Sequence, residues 1–112
     1  MSATLERLAR NQVLFREVNE RLLELSNGSS LDRFEFLCEC SGEECTETVI
    51  LSLDEYESVR TEPTAFLILP GHEIPEIERV VERNGRYAVV EKTTGETFAI
   101  ETDPRASDAG NS

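Results

Sequence analysis

All three cysteines of this 112-residue chain fall in one short stretch, Cys38-Glu39-Cys40-Ser41-Gly42-Glu43-Glu44-Cys45, and its only histidine, His72, follows Pro70-Gly71. Zinc needs thiolates and imidazole nitrogens converging tetrahedrally on one point, and a tight loop carrying several of them lowers the entropy lost in collecting them. Three cysteines cannot all pair within one chain, and a reducing compartment favours metal over disulfide. A rigid Pro-Gly turn at a strand end is placed to aim the histidine. The sequence therefore predicts one structural zinc ion held by Cys38, Cys40, Cys45 and His72.

Other readings of the same residues stay open. The cysteines can be small buried hydrophobes with His72 a turn residue; Cys38 or Cys40 can form a disulfide with Cys45; iron can replace zinc in a thiolate-rich site. Glu73 is either an acceptor that orients the imidazole or an exposed loop charge. Four protein ligands leave zinc no open position for water, so the expected site stabilises structure and catalyses nothing. Structural zinc is worth on the order of 10 kcal/mol, comparable with the whole stability of a small domain. No phosphate-binding Gly loop, Gly-x-Ser-x-Gly elbow or His-Glu-x-x-His motif accompanies the cluster.

Around the cluster the pattern is that of an α+β domain. Leu8, Phe15, Val18, Leu22 and Leu25 recur at three-and-four spacing with no Gly or Pro between them, which predicts a helix over about 4–25 stopped at Asn27-Gly28. With Asn11 they also fill the a and d sites of a short heptad repeat. Two uses of that stripe follow: packing on the helix's own domain, which the brevity of the repeat favours, or a homodimer through the helix.

Phe34–Cys38 and Glu47–Leu51 read as the two strands of a hairpin whose loop carries the cysteines. Ser52-Leu53-Asp54-Glu55 is a capping box opening a short helix to about Arg60, with Tyr56 and Val59 toward the core. Ala65–Leu69 reads as a buried strand. Strands over 76–83 and 86–92 flank Asn84-Gly85, and a third over 97–101 would complete an antiparallel β-meander. The expected division is an N-terminal amphipathic helix over 1–28, a zinc-stabilised α+β domain over 29–102, and a disordered tail over 103–112.

Charge narrows the partners. The net charge is −12, and residues 1–26 hold four Glu and four Arg, so the rest carries nineteen acids against seven bases. Phe34 to Val59 contains eight acidic residues, Glu39 among them, and no basic one. Such a surface repels phosphate backbones, which argues against direct nucleic-acid binding. It serves either as a solvated face or as a dock for a basic protein partner. No apolar run is long enough to span a bilayer and the N-terminus does not read as a signal peptide, so a cytoplasmic location without membrane contact is expected.

The string Phe36-Leu37-Cys38-Glu39-Cys40, followed by Cys45, Glu55-Tyr56, Val59-Arg60, Pro63, Phe66 and Pro70-Gly71-His72-Glu73, resembles a group of small bacterial proteins of no established activity. The resemblance covers about residues 34–92 and implies that the three cysteines and the histidine act together, without supplying a substrate or partner. The expected function is a non-enzymatic structural-zinc module that mediates protein–protein interaction, with a regulatory role as one form of it. The alternative is a thiol- or metal-responsive sensor whose zinc release unfolds the domain.

Overall fold

The computed structural model describes residues 3–26, 32–40, 45, 47–94 and 96–105. The expected helix stop at Asn27-Gly28, the loop interior 41–44 and residues 106–112 lie outside them. The element order is α1 (Ala3–Ser26), β1 (Phe34–Leu37), β2 (Thr48–Leu51), α2 (Leu53–Val59), β3 (Ala65–Ile68), β4 (Glu78–Arg83), β5 (Ala88–Lys92) and α3 (Glu96–Glu101). Strands β1 and β2 form an antiparallel pair, and a second antiparallel sheet has the order β3-β5-β4. This is an α+β fold.

The hairpin register puts Phe36 opposite Val49 and Phe34 opposite Leu51, so alternate side chains share the buried face while Ile50 points outward. Helix α2 opens on the capping box read from the sequence: the Ser52 hydroxyl accepts from the Glu55 amide, and the Glu55 carboxylate accepts from the Ser52 amide. Its Tyr56 stacks on Phe36 with ring centroids 4.5 Å apart, which joins helix to hairpin. Strand β3 is buried at all four positions and bridges the two sheets through this core.

Three expectations are corrected. Residues 97–101 are not a third strand of a meander but belong to α3. The edge of β5 that such a strand would need is taken by β3, with Phe66 opposite Val90, while β4 fills the other edge. The segment instead turns helical, its Phe98 carbonyl accepting from the Thr102 amide and hydroxyl. The tail does not begin at residue 103, because Asp103 is buried and accepts from Arg60, and Arg105 reaches Glu20 and Glu57.

The third correction concerns α1. It packs on its own domain, but not through the apolar stripe. The buried positions are Ala9, Gln12, Val13, Arg16, Asn19 and Glu20, whereas Leu14, Val18 and Leu25 are 54%, 40% and 77% exposed. What holds this face is hydrogen bonding. The Gln12 amide donates to Glu78 at 3.0 Å and accepts from Lys92 Nζ at 2.8 Å. Arg16 donates to the carbonyls of Pro63 and Ala99 and lies 4.6 Å over the Phe66 ring. Glu20 accepts from Arg60 at 2.6 Å and from Arg105. Buried polar groups are tolerated when paired in this way, and each pairing fixes which face of the helix turns inward.

Candidate metal centre

The hairpin and the turn after β3 set up the cysteine–histidine cluster. The chain leaves β1 with Leu37 clamped by one side chain: Asn19 Nδ2 donates to the Leu37 carbonyl at 2.9 Å, and Asn19 Oδ1 accepts from the Leu37 amide at 2.7 Å. Cys38 then extends the hairpin ladder by one rung, its amide donating to the Glu47 carbonyl at 3.0 Å. Glu39 crosses to the other sheet. Its amide donates to the Leu67 carbonyl at 2.6 Å, and its carboxylate accepts from the Leu67 amide at 2.9 Å. The backbone on either side of Cys38 is thus tied to both sheets.

His72 is positioned by a turn. The His72 amide donates to the Leu69 carbonyl at 3.1 Å across Pro70-Gly71, and Gly71 has φ +92°. Proline before a positive-φ glycine is the pairing a type II turn requires, and a side chain on Gly71 would be strained by backbone conformation alone. The same strand end returns to the first cysteine, because the Leu69 amide donates to Cys38 Sγ at 3.2 Å.

The structure brings together all four residues predicted as ligands. One donor atom from each of Cys38, Cys40, Cys45 and His72 can be chosen so that all lie within 4.8 Å of one another. His72 Nδ1 is 3.6 Å from Cys38 Sγ and 3.7 Å from Cys45 Sγ. A tetrahedral ion with metal–sulfur bonds of about 2.3 Å and a metal–nitrogen bond of about 2.0 Å has sulfur–nitrogen edges of about 3.5 Å, close to these two Cys–His distances. The four donors are close enough to bind one metal ion. No disulfide joins Cys38, Cys40 and Cys45.

Cys38 and Cys40 are buried, and Cys45 is half-buried. The Cys38 thiol is pushed up by its hydrogen bond with Cys40 and by burial, and burial also pushes up Cys45. Thiols closed in together hold their protons unless a cation takes their place, which is the protonation behaviour expected of a soft-metal cage.

Glu39 is not part of the acidic surface. It is fully buried, and its carboxylate accepts from Tyr56 Oη at 2.5 Å and Asn19 Nδ2 at 2.8 Å besides the Leu67 amide. Burial pushes its pKa up against these hydrogen bonds. Its carboxylate thus braces the Cys-x-Cys turn from inside. Glu73 accepts from Arg83 at 3.2 Å.

Asn19 and Tyr56 are the supports that sequence reasoning missed as parts of the site. Tyr56 was expected in the core, which it joins, but its hydroxyl has a second task. The only trace of Asn19 in the sequence is a polar row at three-and-four spacing, Gln12, Arg16 and Asn19, running beside the apolar stripe.

No family model, curated protein or solved structure matches the chain. No helix among the described residues is long and apolar enough to cross a membrane.

Proposed function

We propose that the protein is a non-enzymatic module in which Cys38, Cys40, Cys45 and His72 hold one structural zinc ion, and that the domain so stabilised binds another protein. The observation that carries the metal reading is the gathering of one donor atom from each of the four residues within 4.8 Å of one another, with His72 Nδ1 beside the sulfurs of Cys38 and Cys45. Thiolate with imidazole suits zinc, and a full set of four protein ligands gives water no position from which to react. When bound, the ion would link the hairpin, through its cysteines, to the turn after β3.

Interaction is supported by surface. Glu35 and Glu47 are exposed on the hairpin beside the cluster, and Asp54 is exposed on α2, a distribution that suits a basic partner. The outward apolar residues of α1 offer a second contact face.

Metal content per chain, measured by elemental analysis on untagged wild type and His72→Ala, tests the metal half. One equivalent of zinc in the wild type, weakened or lost in the variant, supports it. Metal-free wild type purified without chelator ends it. Pull-down at low and moderate salt tests the interaction half, which is abandoned if no partner and no self-association appears at either.

The half-exposed Cys45 favours a second reading, a thiol-responsive sensor. Attack of the Cys45 thiolate on peroxide would break the O–O bond to give a sulfenic acid and one water, and displacement by Cys38 or Cys40 would form the disulfide with loss of a second water and release the ion. Reversible metal release at mild peroxide is the expected result, and a bound metal that resists oxidant sinks this reading.

A further inference from the structure

The four donors of the cluster are held to different degrees. Cys38 is fixed twice, by the bond from its amide to the Glu47 carbonyl at 3.0 Å and by the Leu69 amide on its sulfur at 3.2 Å. Cys40 is buried, and the residue before it, Glu39, is tied to Leu67 through both backbone and carboxylate. Cys45 and His72 are half-buried. Of these two, Cys45 brings a full negative charge to a cation and His72 only a neutral imidazole.

His72 also lacks the support that such a ligand ordinarily has. A metal-binding histidine donates its other ring N–H to a carboxylate, a carbonyl or water, which fixes the ring. Here both hydrogen-bond contacts of the ring are made by Nδ1, and among the described residues no group hydrogen-bonds Nε2. The neighbouring carboxylate, Glu73, is engaged by Arg83. The backbone, in contrast, is secured on both sides of His72, whose own amide donates to the Leu69 carbonyl while the Ile74 amide donates to the Glu78 carboxylate at 3.0 Å. The ring can turn away about its side-chain bonds without loosening the turn or the strands around it.

We infer that His72 is the exchangeable corner of the cluster, and that a small thiolate takes its place on the ion while Cys38, Cys40 and Cys45 stay bound. The assignment rests on the metal reading of the proposed function and adds to it a class of ligand. In the exchange the thiol gives its proton to solvent, its sulfur donates an electron pair to the ion, and the imidazole nitrogen withdraws its own. Zinc accepts a fifth ligand in passing, so the count returns to four with no change of oxidation state. The chain's net charge of −12 opposes an incoming anion that carries carboxylates of its own, which makes a thiol uncharged elsewhere the fitting class.

Cadmium NMR on the full chain loaded with that ion, titrated with 2-mercaptoethanol in the absence of oxygen, tests it, because the resonance reports how many sulfurs are bound. His72→Cys loaded with the same ion supplies the four-sulfur reference. The wild-type resonance is expected to start away from that reference and to move toward it, saturably, as thiol is added. The His72 Nδ1 shift should move in step from its metal-bound to its free position, while the backbone amides of β1, β2 and β3 stay where they are. A resonance that ignores thiol while the ion remains bound overturns the inference and leaves the cluster closed. Loss of the ion with no four-sulfur stage overturns it as well, because the cysteines then leave with the histidine. If His72→Cys does not fold, the Nδ1 shift of the wild type decides alone. Wild type that takes up no ion ends the metal reading itself, and the exchangeable corner falls with it.

Discussion

The cysteine–histidine cluster and the inner face of α1 solve the same problem by different means. A domain of this size buries too little apolar surface to be secure, and each region adds a cross-link between elements. The cluster gathers four donors from the hairpin and from the turn after β3, and in the function proposed above it would act as a cross-link only through an ion the chain does not encode. The face of α1 is self-sufficient: Gln12, Arg16, Asn19 and Glu20 meet partners from β1, β4, β5, α3 and the connections beside α2. The two regions touch at Glu39, which sits between two cysteines and accepts from Asn19. A metal cage draws on scarce residue types and declares itself, whereas a polar interface is built from residues common on any surface.

The first way to break this comparison is to remove a ligand. Cys40→Ser should abolish tight metal binding and with it a contribution on the order of 10 kcal/mol, so that cooperative unfolding is largely lost. Calorimetry and metal analysis check it, and a variant with wild-type melting and metal content would show that Cys40 is not a ligand.

Removing the α1 anchor should cost less. Asn19→Ala deprives Leu37 of both backbone partners and Glu39 of one donor, an expected loss of about 2–4 kcal/mol in urea unfolding with metal stoichiometry unchanged. If metal is lost too, the two regions form one cooperative unit and the contrast between them fails.

The smallest effect is expected at the surface, where Arg86 pairs with Glu55 at 2.6 Å and lowers its pKa to about 2. Arg86→Ala should destabilise only slightly, as solvent-exposed ion pairs do. A depressed carboxylate stabilises the fold above its unfolded pKa of 4.5, and that contribution is lost as pH falls toward about 2. The gap between wild type and variant should therefore hold steady above pH 4.5 and shrink below it. A gap that persists in acid would assign it to Arg86's contact with the Ile50 carbonyl instead.

Much of the fold was legible because its causes are local. The capping box at Ser52 and Glu55 needs only four consecutive residues, and β3 only an apolar run ended by Pro70-Gly71. Asn84 closes the β4–β5 hairpin as expected, though its side chain accepts from the Arg86 and Tyr87 amides and moves the turn one residue on, to Gly85-Arg86. The four candidate ligands were legible for a chemical reason: few side chains bind soft metals, and this chain has four of them in two short motifs.

By itself, then, the sequence determined the helices α1 and α2, the hairpin, the buried strand and the identity of the donors, all of which follow from neighbouring residues or from residue chemistry. Only the tertiary structure decided which face of α1 is buried, that 96–101 is helical, that Glu39 faces inward, and that Asp103 and Arg105 belong to the fold. The reason is the same in each case. A polar or weakly apolar side chain has no preferred side until a partner is placed across from it, and those partners, Glu78 and Lys92 for Gln12 or Arg60 for Asp103, are tens of residues away along the chain.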